Sequence, residues 1–124
     1  MGEKATEIEI QKNEVNGYLK YPGQIAWPDW DIEKITYHDD HFTNPFTTVH
    51  FQNGILFKLS KAKFDVSHMQ ARTIDINGDE FTYYSDHKQK YFLWAKGFVY
   101  YLMIAPDKMD DEVYYGYVKE VTNN

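Results

Sequence analysis

Short stretches of apolar and polar residues alternate through the second half of the chain, with turn residues between them. Such alternation is typical of β-strands, in which successive side chains point to opposite faces of a sheet. The predicted strands are residues 46–51, 55–59, 72–76, 80–84, 91–95 and 98–104, and residues 33–37 are a shorter candidate. Turn residues stand between neighbouring strands at Asn53-Gly54, Asn77-Gly78 and Lys96-Gly97, and Asn-Gly in particular favours a tight hairpin. The pattern therefore predicts five or six antiparallel strands joined as a meander.

The predicted strands at residues 91–95 and 98–104 are apolar on both faces. A strand of this kind belongs in the middle of a sheet that is covered on both sides. One cover is predicted after Pro106, where the apolar spacing changes to three and four residues and indicates an amphipathic helix. Its apolar positions are Met109, Val113, Tyr114, Tyr117, Val118 and Val121. The predicted class is therefore α+β, with a C-terminal helix packed on one face of a mostly antiparallel sheet.

The two ends of this predicted helix carry residues that stabilise helix termini. Asp107 is the predicted N-cap, because a carboxylate at that position accepts a free backbone amide. Lys119 lies near the other end, where the helix dipole favours a cation. Gly116 in the middle lowers the stability of the predicted helix by about 1 kcal/mol relative to alanine.

The chain has 124 residues, which suits a single domain. Residues 1–16 are a polar lead-in that suits a frayed segment, an edge strand or a short helix, and residues 17–124 form the α+β domain. Between residues 17 and 31 the prolines Pro22 and Pro28 exclude a long regular element. This stretch is too apolar for a linker, so we expect it to lie against the body of the domain.

Three runs in the second half of the chain carry a resemblance to a known family. They are Ile74-Asp-Ile-Asn-Gly-Asp-Glu-Phe-Thr-Tyr-Tyr84, Tyr91-Phe-Leu-Trp94 and Gly97-Phe-Val-Tyr-Tyr-Leu102. Together they resemble a bacterial domain of unknown function found at the extracytoplasmic C-terminal end of Gram-positive anti-sigma-factor-like proteins and lipoproteins. The resemblance covers residues 33–121 and departs from the family at residues 27–30 and in the tyrosines of the last helix. It implies an extracytoplasmic setting and transfers no catalytic residues.

Two indole rings three positions apart make Trp27-Pro28-Asp29-Trp30 the most distinctive string in the sequence. Held by a proline, the rings of Trp27 and Trp30 could form a stacking platform for a sugar ring or a proline-rich peptide. We favour the alternative that they cover the open face of the sheet, since that face needs a cover and tryptophan is highly buried on average. We expect a split, with one ring buried under Ile25 and the other partly exposed at the edge of a groove.

The cluster His38-Asp39-Asp40-His41 contains residue types that bind metals. Imidazole and carboxylate suit zinc, nickel or manganese, so His38, Asp40 and His41 are the candidate ligands. A complete site would need a further ligand such as His50, His68 or His87. The same cluster before Asn44-Pro45 is also ordinary turn chemistry, and we assign no metal and no cofactor to the chain.

Composition excludes several classes of function. The formal net charge of −6 argues against nucleic-acid binding, which needs clustered Lys and Arg. The basic residues Lys58, Lys61 and Lys63 beside Phe64 are few, and we interpret them as protection of a strand end against pairing. The chain has no cysteine, no Gly-x-Ser-x-Gly motif, no glycine-rich phosphate loop and no apolar run long enough to form a transmembrane segment. We therefore assign no catalytic residues.

The first hypothesis for function is a non-enzymatic binding or sensing module of a Gram-positive cell-envelope protein or lipoprotein. Its partner would be a small molecule, a peptide or a protein, and a signal or anchor would precede these 124 residues. A metal-dependent protein or enzyme using His38, Asp40 and His41 is the alternative. A third reading is an acidic intracellular protein that binds a partner through its surface.

Overall fold

The computed structural model describes residues 6–25, 27–28, 30–42, 44–64, 70–76, 79–86, 88–96, 98–110, 112, 116 and 119. The strands among these residues are β1 (Thr6–Ile10), β2 (Ile32–Asp39), β3 (Phe46–Phe51), β4 (Leu56–Ser60), β5 (Arg72–Ile76), β6 (Asp79–Ser85), β7 (Gln89–Lys96) and β8 (Val99–Pro106). A 3₁₀ turn at Lys12–Glu14 leads into the short helix α1, Val15–Leu19. All eight of these strands belong to one antiparallel sheet.

The order of strands across the sheet is β1-β2-β3-β4-β8-β7-β6-β5. It consists of two four-stranded meanders, β1–β4 and β5–β8, which join where β4 pairs with β8. Phe57 lies opposite Met103 and Leu59 opposite Tyr101 in this central pairing. The edges of the sheet formed by the described strands are therefore β1 and β5, so β4 and β5, which follow one another in sequence, lie in the middle and at one edge of this sheet.

The predicted fold class is wrong. The described residues form an eight-stranded sheet, where the sequence predicts five or six strands in an α+β domain. The single meander is also wrong, because the β4–β8 pairing joins segments about 45 residues apart that no turn signal connects. The described regular helix is α1, near the N-terminus rather than the C-terminus.

Little of the predicted C-terminal helix can be compared with the structure. Glu112, Gly116 and Lys119 have helical backbone and are exposed, and the other residues from 111 onward lie outside the described residues. Asp107 lies in a turn and does not cap a helix; instead, Asp110 Oδ1 accepts the amide of Glu112 at 2.9 Å. Packing of this helix on the sheet is therefore not part of the described structure.

One face of the sheet, the main face, carries the larger part of the core. Its buried side chains come from alternate positions of β2, β3, β4, β6, β7 and β8, and include Ile35, Val49, Phe57, Phe81, Phe92, Trp94 and Tyr101. The N-terminal segment covers this face, since Val15, Leu19 and Ile25 are buried in the same cluster. The described residues between 12 and 30 thus occupy the place at which the sequence predicts a cover for the open face.

The opposite face, the second face, has a smaller apolar cluster of Tyr84, Leu93, Leu102 and Ile104. Leu93 on β7 and Leu102 on β8 are cross-strand partners, and their neighbours Phe92 and Met103 belong to the main face. The prediction that these two strands are apolar on both faces is therefore confirmed.

The Asn53-Gly54 hairpin differs from the two-residue turn expected. The amide of Gly54 donates to the Phe51 carbonyl at 3.1 Å, and the Phe51 amide donates to the Ile55 carbonyl at 3.1 Å. Gly54 has a φ of 91°, while Asn53 has a negative φ and accepts the Ile55 amide through Oδ1 at 3.0 Å. This is a three-residue hairpin loop with a glycine bulge.

The other two predicted turns fall partly outside the described residues. Ile76 pairs with Asp79, so the connection from β5 to β6 is residues 77–78, which are not described. Lys96 pairs with Val99, and Gly97 is not described. Phe98 precedes β8 and is 77% exposed.

Candidate functional site

The double-tryptophan segment lies against the main face. Trp27 and Trp30 are both half-buried, Pro28 is buried, and Asp29 lies outside the described residues. The Trp30 ring meets the ring of Phe51 edge-on, with centroids 5.1 Å apart. Both indoles pack against the main core, so the expected split between a buried and an exposed ring is not observed.

The cation Lys12 Nζ lies 5.1 Å from the centroid of the Trp27 ring. A cation at this distance from an indole face is attracted by its negative quadrupole. With this contact and the packing on the core, each indole already has partners in the protein. Covering the sheet accounts for the position of both rings.

His38 and His41 are held by separate local contacts. His38 on β2 stacks on Phe46 with ring centroids 4.8 Å apart, and its Nδ1 lies 3.5 Å from Glu7 Oε2. His41 has a φ of 65°, and its amide donates to Asp39 Oδ1 at 2.9 Å. The Phe42 amide donates in the same way to Asp40 Oδ1, so both aspartates form the side-chain turns typical of this residue type.

Among the described residues, no three His, Asp or Glu side chains are grouped so that they could hold a metal ion. His50 lies on β3, where burial first and then Lys34 lower the pKa of its imidazole. His68 and His87, the other candidate ligands, lie outside the described residues. The geometry thus places His38 on β2 and Asp40 and His41 in the turn after it, and it does not assemble these described residues into a metal site.

A cleft of about 310 Å³ opens at the end of the sheet where β2 and β4 end and β3 begins. Tyr18 and Leu19 of α1 form one wall, Tyr37 and Asp39 of β2 another, and Lys61 closes the side after β4. We call it the Tyr18 cleft. Its volume is at the lower end of the range for small-ligand sites.

Two tyrosine rings shape the inner part of the Tyr18 cleft. Tyr18 and Tyr37 have ring centroids 4.6 Å apart and planes inclined by 37°. Their apolar ring surfaces and hydroxyl groups offer a ligand both packing and hydrogen bonds. Burial, followed by the charge of Asp39, raises the pKa of Tyr37, so its phenol stays neutral and remains a hydrogen-bond donor.

The turn after α1 fixes the position of Tyr18. Lys20 adopts a left-handed φ of 55° at the C-terminal end of the helix, where the chain reverses. The Asn16 side chain donates to the carbonyls of Tyr21 at 2.9 Å and Gly23 at 2.7 Å, which holds the following residues. The wall of the cleft that α1 provides is therefore tied down by hydrogen bonds.

Lys61 links the two sides of the cleft. Its Nζ donates to the Lys20 carbonyl at 3.2 Å, across 41 positions of sequence. Beside it, Ser60 Oγ donates to the Pro45 carbonyl at 2.9 Å and accepts the Ala62 amide at 3.1 Å. The ammonium group retains two further N–H donors, because lysine carries three.

An unsatisfied hydroxyl lies in the strand beneath the Tyr18 cleft. Thr47 is completely buried on β3, between its cross-strand partners Tyr37 and Leu59. Its Oγ1 has no hydrogen-bond partner among the described residues. Such groups are rare and costly in folded proteins, and because Thr47 does not line the cleft, its hydroxyl bears on the stability of β3 rather than on ligand binding.

Sequence reasoning does not identify this site. Tyr18, Tyr37 and Lys61 come from three distant segments, and neither spacing nor motif relates them. The interpretation of the lysines after β4 as protection of a strand end is wrong. In the structure β4 is a central strand paired on both sides, so it has no free edge to protect.

No protein-family model matches the chain, and neither the curated proteins nor the solved structures contain a significantly similar one. The family resemblance drawn from residues 74–102 thus remains a hypothesis. Among the described residues, no helix has the length and apolar character needed to span a bilayer.

Proposed function

We propose that this protein is a non-enzymatic binding module that holds a small polar ligand in the Tyr18 cleft. The observation that carries the proposal is the convergence of two tyrosine rings, the Asp39 carboxylate and the Lys61 ammonium on one cleft. A ligand site usually has an apolar lining with a few polar groups.

The setting we propose is the outer face of a Gram-positive cell, as part of a cell-envelope protein or lipoprotein. The support is the resemblance of the three runs between Ile74 and Leu102 to an extracytoplasmic bacterial domain. In the source organism, protease added to intact cells should degrade the protein and spare a cytoplasmic marker. Protection until the cells are lysed would contradict this setting.

A fragment screen followed by thermal unfolding tests the binding proposal. We expect ring-shaped polyhydroxylated fragments to raise the midpoint of unfolding of the unmodified protein. Tyr37→Phe should weaken binding of the best fragment by about fivefold, because it removes a single hydroxyl and keeps the ring. Tyr18→Ala should abolish the shift by removing one wall of the cleft.

Tyr91→Phe is the matched control for Tyr37→Phe. The Tyr91 hydroxyl donates to Gln89 Oε1 at 2.7 Å at the opposite end of the sheet. Its loss should leave fragment affinity unchanged. Equal effects of the two substitutions, or a fragment shift that survives Tyr18→Ala, would contradict the proposed site.

A further inference from the structure

A cleft of about 210 Å³ opens on the second face of the sheet, where β7 ends and β8 begins. Leu93 and Ala95 on β7 line its floor, flanked by Thr82 on β6 and Tyr100 on β8. Thr82 pairs with Leu93, and Ala95 pairs with Tyr100, so the four side chains are neighbours on one face. We call this cavity the Ala95 cleft.

The small side chain of Ala95 creates the hollow. Its methyl group lies between two larger neighbours, Leu93 two positions earlier on the same face and Tyr100 across from it on β8. Ala95 is exposed and Leu93 is buried, so the surface of the sheet is open above the alanine and closed beside it. A longer side chain at residue 95 would fill this space.

Aromatic side chains border the Ala95 cleft. Phe64, which follows β4 in sequence, packs against the apolar cluster of the second face and lines the cleft together with Tyr100. Trp94 and Tyr101 also border it, but both belong to the core of the main face. An apolar floor beside two aromatic side chains suits a flat apolar group, because aromatic rings pack favourably on one another.

Two side chains of opposite charge, Lys63 and Glu80, lie on the rim of the Ala95 cleft. Both are exposed, and neither forms an ion pair or a side-chain hydrogen bond in the part of the chain that the structure describes. The ammonium group can therefore bind a carboxylate of a ligand, and the carboxylate can bind an ammonium group. A zwitterion satisfies both, whereas a ligand with one charge leaves the other side chain without a partner.

The volume of the Ala95 cleft limits the size of its ligand. Pockets for drug-sized molecules begin at about 300 Å³, and this cleft is smaller. A single amino acid is a ligand of suitable size. An aromatic amino acid combines the flat apolar group that the floor favours with the two charges that the rim favours.

We propose that the Ala95 cleft binds a free aromatic amino acid, with its ring against Ala95 and Phe64, its carboxylate at Lys63 and its ammonium group at Glu80. The inference goes beyond the proposed function, because this cleft shares no lining residue with the Tyr18 cleft. Neither proposal depends on the other.

A titration of the isotope-labelled protein with phenylalanine, followed through amide chemical shifts, tests the inference. Two analogues keep the ring and lose one charge each: 3-phenylpropionate lacks the ammonium group, and 2-phenylethylamine lacks the carboxylate. We expect phenylalanine to bind about three- to fivefold more tightly than either analogue, because an exposed ion pair contributes up to about fivefold in affinity. The largest shifts should fall at residues 63–64, 80–82 and 93–95.

Substitutions assign the role of each side chain. Lys63→Gln should remove the advantage of phenylalanine over 2-phenylethylamine, and Glu80→Gln should remove its advantage over 3-phenylpropionate. Ala95→Leu should abolish binding of all three ligands by filling the cleft. Ala95→Ser is the matched control for volume, because it keeps a small side chain and should retain binding.

Lys108→Gln is the matched control for charge, because Lys108 is exposed beyond β8 at the opposite end of the sheet. It should not change any of the three affinities. Thermal unfolding of every variant shows whether a lost affinity reflects a lost fold.

Several outcomes would overturn the inference. Equal affinity for phenylalanine and its analogues, insensitivity to Lys63→Gln and Glu80→Gln, binding that survives Ala95→Leu, or no binding of phenylalanine up to its solubility limit would each do so. Tyr18→Ala should leave phenylalanine binding unchanged, and a loss would assign the amino acid to the Tyr18 cleft instead. Binding of phenylalanine at the Ala95 cleft, with no fragment bound at the Tyr18 cleft, would overturn the proposed function alone.

Discussion

The rings of Trp94 and Tyr101 stack almost parallel, with centroids 5.2 Å apart and planes inclined by 9°. The two residues are cross-strand partners on β7 and β8, and both are buried. The ring of Phe57 on β4 lies 5.8 Å from Trp94 and 5.5 Å from Tyr101. This trio therefore connects the two meanders of the sheet through their side chains.

Removing one ring of this trio should destabilise the whole sheet. Trp94→Ala leaves a cavity among buried rings, and we expect the free energy of unfolding to fall by about 3–5 kcal/mol. Phe98→Ala is the control, because this ring is 77% exposed and its loss should cost less than about 0.5 kcal/mol. Urea titrations measure both; similar costs would contradict the packing described for the main face.

Substitution by alanine should change the stability of the protein in opposite directions at two glycines. Gly54 has a φ of 91°, so Gly54→Ala should destabilise by about 1–2 kcal/mol through backbone strain alone. Gly17 lies in α1, where an added methyl group would meet nothing within 4 Å, so Gly17→Ala should stabilise by up to about 1 kcal/mol. Chemical denaturation gives both values, and a stabilising Gly54→Ala would refute the bulged hairpin.

Thr47→Val should leave the free protein as stable as before or stabilise it by up to about 1 kcal/mol. The substitution keeps the shape of the buried side chain and removes an Oγ1 that has no hydrogen-bond partner in the described part of the structure. A loss of more than about 1 kcal/mol in the free energy of unfolding would show that the hydroxyl is satisfied, for example by a bound water.

Stability should fall as the pH rises above about 10, the ordinary pKa of tyrosine. Burial, with smaller contributions from Tyr91 and Asp86, raises the pKa of Tyr84 to about 12. Between these two values the unfolded chain loses a proton that the folded protein keeps, and unfolding is favoured. Tyr84→Phe should flatten this part of the stability profile, which unfolding midpoints recorded across this alkaline range would show; an unchanged slope would contradict the raised pKa.

The local pattern of the sequence is sufficient to predict the central strands. Residues 91–95 and 98–104 are apolar on both faces and lie largely within β7 and β8, because burial on two sides permits few polar residues. For the segment that contains β1 the sequence pattern allows a frayed segment, an edge strand or a short helix. The alternation of apolar and polar residues in β1 is short, it includes two exposed glutamates, and the strand lies at an edge of the described sheet. An edge strand needs only one apolar face, which weakens its signal.

The sequence pattern does not predict which strands pair when they are far apart in the chain. Nothing in residues 56–60 indicates that β4 pairs with β8 rather than with the next strand along the chain. The Tyr18 cleft depends on this topology, because it brings together α1, the end of β2 and the residues after β4. The two tryptophans three positions apart suggest a stacking platform in the sequence, yet the rings of Trp27 and Trp30 both pack against the core.

An amide chemical-shift map of the isotope-labelled protein is the most direct test of the central claim that ligands bind in the Tyr18 cleft. The fragment that binds best in the thermal screen is added in increments, and the perturbed residues are assigned. We predict that the largest shifts fall at residues 18–20, 37–39 and 60–62, which include most of the residues that line the cleft. Shifts centred on Trp27 and Trp30, or on the edge strand β5, would contradict the account.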